Sequence, residues 1–143
     1  MARRWITDRK SDRDQGITTL EVMVLFPAVF AFMLFAIQTA MYHYSRQVVL
    51  AAAEEGARTA AQGNPANPAS LTPGVTTANT FIVNVGGSWV TGTTDPPLVI
   101  ADQNTQQPRV RITVVATAIS LVPGLTFHIS QSADSAFEIF THG

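Results

Sequence analysis

The sequence predicts an α+β protein in which a long N-terminal helix, transmembrane over its first half, packs against a small antiparallel β-sheet of about three strands. Three observations predict this fold. Residues 22–45 contain no Asp, Glu, Lys or Arg and are mostly apolar, and residues 46–62 continue in an alanine-rich composition that favours helix. Residues 97–140 contain runs of alternating apolar and polar side chains, which are typical of strands with one buried face.

The apolar segment is long enough to cross a lipid bilayer. A transmembrane helix needs about 20 mostly apolar residues, and residues 22–45 provide 24 without a charge. A helix in the core of a soluble domain would carry a polar stripe every few residues, and none interrupts the first two thirds of this segment. Tyr42, His43 and Tyr44 follow, at the position where amphipathic rings lie at a membrane interface.

The charges that flank the apolar segment predict its orientation. Five basic residues precede it, against three acidic ones, whereas Arg46 alone follows it before two glutamates. The basic residues are Arg3, Arg4, Arg9, Lys10 and Arg13. Because basic flanks stay in the cytoplasm, we predict a single-pass protein of the cytoplasmic membrane with a cytoplasmic N-terminus. A cleaved secretory signal fits less well, since its apolar region is usually about 7 to 15 residues long.

A short motif lies directly before the apolar segment. A hydrophilic leader ends at Gly16, the hydrophobic Ile17 follows, and Glu21 is the fifth residue after that boundary. This arrangement resembles the processing site of type IV pilin-like proteins, in which a prepilin peptidase cuts on the cytoplasmic side of the helix. The resemblance implies cleavage after Gly16, with Ile17 as the new first residue.

The alanine-rich run after the span carries a second resemblance. Residues 46–61 contain the element Glu-Gly-Ala-Arg at positions 55–58. Together with the membrane helix and the leader motif, this element is similar to the TadE family of minor pseudopilins, which take part in Tad pilus assembly. The resemblance implies a pilin-like fold and, as partners, a prepilin peptidase, other pilin or pseudopilin subunits and membrane lipid. The implied divisions are a cytoplasmic leader (1–16), a transmembrane helix (17–45), its continuation outside the membrane (46–62) and a small α+β extracytoplasmic domain (63–143).

Glu21 has two explanations. A carboxylate at the edge of the hydrocarbon costs a few kcal/mol unless it is paired or neutralised. By the resemblance, its partner is the amino group that cleavage creates on a neighbouring subunit, which gives Glu21 a role in assembly and registration. Alternatively, Thr18 and Glu21 have the spacing of a capping box, in which Glu21 would bond to the first backbone N–H groups of the helix. The resemblance favours the assembly role.

A proline and several small residues along the helix predict where it bends and where it packs. Pro27 removes one backbone hydrogen bond inside the span, so we predict a helix kink there. Ala52, Gly56 and Ala60 recur every four residues and form a small-residue face. A helical glycine costs about 0.5–1 kcal/mol relative to alanine, so another backbone is expected to approach Gly56 closely. The chain's own C-terminal sheet is favoured over an adjacent subunit as the group that packs there. Glu54 precedes Arg58 by four residues, which predicts a surface ion pair.

The rest of the chain predicts a linker, a short helix and a sheet. Residues 63–68 contain Gly, Asn and Pro and predict a linker. Thr72 and Pro73 predict a helix start. The apolar side of that helix would consist of Val75, Ala78, Phe81, Ile82 and Val85, with Gly86 and Gly87 at its end. The predicted strands cover residues 97–101, 109–118 and 125–140, with a turn at 122–124. About 80 residues give a marginal core alone, so the sheet is expected to pack on the long helix.

The sequence offers no pattern of an enzyme or a cofactor site. His43, His128 and His142 are widely separated, and the absence of cysteine excludes thiolate sites and disulfides. Asp102 and Asn104 have the first spacing of a calcium loop, but its glycine and distal glutamate are missing, so a solvated turn is favoured. After Asp14 the chain has four arginines and seven acidic residues, so a nucleic-acid surface is not expected either.

Two functional hypotheses follow from these observations. The first is a non-enzymatic, cofactor-free pseudopilin-like component of a Tad-type pilus or related secretion system, processed after Gly16 and incorporated in a surface filament. The alternative is an unprocessed, single-pass anchored protein whose outer domain binds a partner at the cell surface. The two hypotheses differ in the fate of one peptide bond, between Gly16 and Ile17.

Overall fold

The computed structural model describes residues 11–101, 107–122 and 124–137, with the side chains of the first helix described from Thr19 onward. Two helices and four strands follow in order: α1 (Ser11–Ala61), α2 (Thr72–Phe81), β1 (Val90–Thr94), β2 (Leu98–Ala101), β3 (Pro108–Ala118) and β4 (Phe127–Ala136). The predicted α+β class, with a long apolar N-terminal helix and a small antiparallel sheet, is confirmed. The chain divides into two compact units along α1, an N-terminal one ending at Gln38 and a C-terminal one beginning at Thr39.

Helix α1 begins earlier than the sequence predicted. Ser11, the first residue that the structure describes, is already helical although it lies within the predicted leader, and α1 ends at Ala61, next to the predicted end at Gln62. Gly16 does not stop it, because a single glycine weakens a helix without breaking it. Thr18 therefore lies within the helical backbone of the uncut chain, and both explanations of Glu21 stay predictions.

Within the N-terminal unit, α1 exposes its apolar side chains. Among the described residues it is the one helix long and apolar enough to cross a membrane, with a mean hydropathy of 2.4 over its most apolar 18-residue window. None of that window is buried. A core helix of a soluble domain would be mostly buried, so this segment is not one.

Strand β3 is the centre of the antiparallel sheet. It pairs along nearly its whole length with β4, so that Arg109 lies opposite Ala136 and Ala118 lies opposite Phe127. Its other edge is shared by two strands: β1 pairs with the C-terminal half of β3 and β2 with the N-terminal end. The sequence analysis predicted β2, β3 and β4 and did not predict β1.

The break between β1 and β2 has a chemical cause. Pro96 and Pro97 follow β1, and proline has no N–H to donate to a neighbouring strand. The backbone N–H of Asp95 makes the last bond before the break, to the carbonyl oxygen of Thr113 at 2.9 Å. One edge of the sheet is therefore a strand interrupted by two prolines.

The hydrophobic core of the C-terminal unit lies between one face of this sheet and the second half of α1. Alternate residues of β3 are fully buried, including Val110, Ile112 and Val114. They belong to one core cluster with the buried residues of α1, which are Val49, Ala52, Ala53, Ala57, Ala60 and Ala61. The second half of α1 thus supplies much of the apolar surface that the small sheet needs.

Helix α2 covers the small-residue face of α1, and its buried side differs from the predicted one. Gly74, Ala78, Ile82 and Gly86, spaced every four residues, are buried. Val85, predicted to face the core, is 44% exposed. A π-helical turn over Ile82–Gly86 continues α2 and ends at Gly87, whose φ of 56° suits glycine.

The predicted linker after α1 is an ordered turn. The side chain of Asn64 accepts a hydrogen bond from the N–H of Ala66 at 2.8 Å, and that of Asn67 accepts one from Ala69 at 3.1 Å. The Ser70 hydroxyl donates to the Asn67 carbonyl at 2.7 Å and accepts from the Asn64 N–H at 2.8 Å. Just before this turn, Arg58 pairs with Glu55 at 3.7 Å, not with the predicted Glu54.

Candidate functional site

The residues of the predicted processing site lie in α1. Gly16 and Ile17 both lie in the helical part of the backbone that begins at Ser11. Glu21 follows Ile17 by four residues, which is one helical turn. The Glu21 side chain is exposed. Position 17 and the carboxylate at position 21 therefore lie on the same side of the helix.

The surface after Glu21 is apolar and open. Val24 and Phe32 are 76% and 74% exposed, and Glu21 is the one charged residue among positions 20–45. Phe26 and Phe30, one turn apart, stack with ring centroids 6.3 Å apart and an interplanar angle of 11°. An aqueous environment would penalise this surface by about 25 cal/mol for each Å² of apolar area. The segment is suited to lipid or to apolar helices of other chains.

Pro27 lies inside α1 between the two stacked phenylalanines. The helix is continuous through it. Because proline has no N–H, the carbonyl of Met23 one turn earlier has no N–H partner at position 27. This carbonyl is a backbone acceptor in an apolar segment, and a neighbouring group in a membrane or an assembly would have to donate a hydrogen bond to it.

Ala52, Gly56 and Ala60 lie in the C-terminal unit and are buried. Gly56 is in close contact with α2 and the sheet: a Cβ atom there would lie 2.9 Å from the Gly74 carbonyl oxygen, 2.9 Å from Ala78 Cβ and 3.4 Å from Ile112 Cγ2. The small-residue face thus lies closer to α2 than to β3, and both belong to the same chain.

The packing of α2 on this face was not predicted from the sequence. A Cβ atom on Gly74 would lie 2.5 Å from the Gly56 carbonyl oxygen and 2.6 Å from Ala60 Cβ. Gly74 therefore allows the two helix backbones to approach each other. The signal was present as the four-residue spacing of Gly74, Ala78 and Ile82, but glycine does not count toward an apolar pattern.

Polar side chains on the other face of the sheet form one strong ion pair. The Arg111 guanidinium donates from Nε to Asp134 Oδ1 at 2.6 Å and from Nη2 to Asp134 Oδ2 at 2.7 Å. These hydrogen bonds hold the pKa of the Asp134 carboxyl below its ordinary value and raise the pKa of Arg111. The pair joins β3 to β4, since the two residues lie directly opposite each other.

Two of the three histidines lie in the described parts of the chain, and each lies beside an uncharged side chain. His43 is next to Tyr42 with ring centroids 6.0 Å apart, and His128 Nδ1 lies 3.4 Å from the Thr117 hydroxyl. His142, Asp102 and Asn104 lie outside the described residues. No group of three metal-ligating side chains occurs within the described parts of the chain. A groove beside α2 is lined largely by threonines and Glu55, which do not form a nucleophile with its base.

Comparison with known proteins identifies the segment that contains these features. Residues 16–58 match the family model of TadE-like proteins, a match that begins at Gly16 and ends at Arg58. No curated protein and no solved structure matches the chain. TadE-like proteins form a structural family associated with the Tad pilus and not known for enzymatic activity. Residues 16–58 of this chain are thus similar to TadE-like proteins, and this similarity suggests an association with the Tad pilus.

Proposed function

We propose that the chain is a pseudopilin-like structural subunit of a Tad-type pilus or a related secretion system, released from its leader by a prepilin peptidase that cuts after Gly16. The observation that carries the proposal is the exposed apolar surface of α1 with one carboxylate, Glu21, at its start. The family match supports it, because the matched region begins at the proposed cleavage site. The basic residues before Gly16 favour a cytoplasmic N-terminus, on the side where a prepilin peptidase acts.

The proposal gives Glu21 a chemical role. Cleavage after Gly16 creates a cationic amino group at Ile17, one turn before Glu21 in its own chain and within reach of neighbouring helices in an assembly. A carboxylate and an ammonium group that pair in an apolar environment offset much of the cost of placing either one there alone. Cleavage and the registration of subunits are thereby linked through one ion pair.

Sequencing the N-terminus of the protein from its native host tests the cleavage step. We expect Ile17 as the first residue in wild type. A Gly16→Val variant should retain its leader, because a larger side chain blocks the cleavage site, whereas Ala28→Val, a similar change inside the span, should be processed normally. Retention of Met1 or Ala2 in wild type would contradict the proposal and support an unprocessed anchored protein.

Substitution of Glu21 tests the assembly step separately. Glu21→Gln keeps the shape of the side chain and removes its charge, which leaves the amino group without its partner and costs about 3–5 kcal/mol if the pair is buried. We expect normal cleavage and membrane insertion but at least a tenfold loss of subunits crosslinked into the pilus fraction. Glu54→Gln, the same change at an exposed site in the C-terminal unit, is the matched control. Equal assembly of the Glu21→Gln protein and wild type would contradict the pairing role.

A further inference from the structure

The C-terminal unit has a defined direction along its part of α1. Near one end, Ile112 of β3 lies against Gly56. Toward the other end, Phe127, opposite Ala118, lies beside Tyr42 with ring centroids 5.8 Å apart. The helix from Gly56 back to Tyr42 spans about 21 Å, and the strand from Ile112 to Ala118 spans about 20 Å. The chain that follows Ala118 therefore lies at the end of the unit where α1 enters it, at Thr39.

Exposed apolar side chains gather at this end. Six of them, between 43% and 52% exposed, form what we call the apolar rim: Tyr44, Val85, Trp89, Ile119, Val122 and Leu125. Hydrogen bonds connect four of its members in two pairs. The Tyr44 hydroxyl donates to the Val85 carbonyl at 3.2 Å, and the Ile119 N–H donates to the Trp89 carbonyl at 3.1 Å. Trp89 and Tyr44 also line one groove, together with Ala40 and Met41.

The charges of the sheet lie away from the apolar rim. Asp95 lies beside Thr113 of β3, and Arg109 and Arg111 come before that position. Asp134 is opposite Arg111. Residues 114–133, which include the rim-proximal parts of β3 and β4, contain no Asp, Glu, Lys or Arg. The sheet is thus charged toward one end and apolar at the end that carries the rim.

We infer that the apolar rim lies in the interfacial layer of a phospholipid bilayer. The apolar run ends at Ile37, only five residues before Tyr42 in the chain. The polar layer on each side of the hydrocarbon is about 5–8 Å thick. Trp89 and Tyr44 combine an apolar ring with a polar N–H or O–H, as the side chains of interfacial belts do. The exposed Arg46 adds a cation that suits lipid phosphate.

This inference rests on the proposed membrane anchor, and it adds a second lipid contact, from a part of the chain outside the span. Apolar area that enters the interface is removed from water, which contributes about 25 cal/mol for each Å². Six half-exposed large side chains, one of them an indole, form a larger contact than scattered surface residues do. The C-terminal unit would then be held against the membrane surface before any assembly draws it away.

Fluorescence quenching in the full chain tests this inference. The protein has two tryptophans, so Trp5→Phe leaves Trp89 as the reporter. The protein is reconstituted in phosphatidylcholine–phosphatidylglycerol vesicles with and without lipids brominated near the top of the acyl chain. We expect brominated lipid to quench Trp89 at least twofold and iodide in the buffer to quench it at least twofold less than an exposed tryptophan. In the control, Trp5→Phe and Trp89→Phe are combined with Ala66→Trp, at the exposed turn beyond the other end of α1, where iodide should quench and brominated lipid should not.

Two further measurements separate the possible outcomes. Replacing the exposed Val122 and Leu125 by Ser should lower quenching of Trp89 by brominated lipid while circular dichroism is unchanged. Flotation of the vesicles after an alkaline wash reports the anchor on its own. A chain that fails to float overturns the proposed anchor. A chain that floats while iodide alone quenches Trp89 overturns the rim contact only, and protection of Trp89 from both quenchers overturns it in favour of a protein neighbour.

Discussion

Gly56 and Gly74 set the distance between α1 and α2. Each glycine faces the backbone of the opposite helix, and a methyl group on either would lie 2.5 to 2.9 Å from a carbonyl oxygen. Ordinary van der Waals contacts of such atoms are longer than 3.4 Å. Both glycines therefore have a packing role that outweighs the cost of glycine in a helix, which is about 0.5–1 kcal/mol.

We predict that Gly74→Ala destabilises the C-terminal unit. The added methyl group would overlap the Gly56 carbonyl and Ala60 Cβ, and such overpacking costs about 1–3 kcal/mol in the free energy of unfolding. Urea unfolding of the full chain in detergent, followed by Trp89 fluorescence, measures the change. Thr76→Ala, at an exposed position of the same helix, is the control and should have little effect. A Gly74→Ala protein as stable as wild type would contradict the close approach of α1 and α2.

At the scale of elements, β3 and β4 are joined by the ion pair on the outer face of the sheet. Arg111 and Asp134 lie directly opposite each other and make two hydrogen bonds in parallel. Charge-assisted bonds of this geometry are stronger than single ones and fix the register of the two strands. The pair is half exposed, so its effect on stability is modest and depends on salt.

The stabilisation from this pair is expected to depend on pH. The pKa of Asp134 is lowered from 3.8 in the folded protein, chiefly by its hydrogen bonds to Arg111. Its contribution is therefore complete above the unfolded pKa and is lost as the pH falls through the lower folded pKa. The urea midpoint of Asp134→Asn should lie below that of wild type at about pH 7, and the difference should shrink below about pH 4. Asp95→Asn controls for the loss of a carboxylate, and a difference independent of pH would refute the role of the pair.

The elements differ in how far the sequence predicts them. The alanine-rich end of α1 and the alternation of β3 are clear signals, so the C-terminal end of α1 and both ends of β3 were predicted to within one residue. Strand β1 was missed because Val90–Thr94 has one large apolar residue and a central glycine. That glycine, Gly92, is explained only by its partner strand, since a Cβ atom there would lie 2.7 Å from Ala116 Cβ. Tertiary contacts of this kind produce no periodic pattern of apolar residues in a sequence.

The candidate site also has features that the sequence predicts and features that it does not. Gly16, Ile17 and Glu21 form a local motif, so the sequence alone draws attention to them. The helical backbone before Ile17 was not predicted, because the boundary there came from the resemblance to pilin-like processing sites. The apolar rim could not be predicted either, since it joins residues that are 30 or more positions apart in the chain and meet only through the fold.

At the scale of the whole molecule, the two units differ in how their apolar side chains are packed. The N-terminal unit contains the exposed apolar helix with Glu21, and the family match begins within it at Gly16. The C-terminal unit has its own core, built from the second half of α1, α2 and the sheet. Helix α1 contributes to both units, with its apolar segment in the first and its alanine-rich segment in the core of the second.

The two prolines between β1 and β2 affect how identical copies can pair when they lie close together. A filament or a membrane patch brings many identical copies close together, and an uninterrupted sheet edge is then a template on which another copy can add a strand. Pro96 and Pro97 remove two N–H donors from the middle of that edge. Cross-β pairing between copies is therefore disfavoured along this edge.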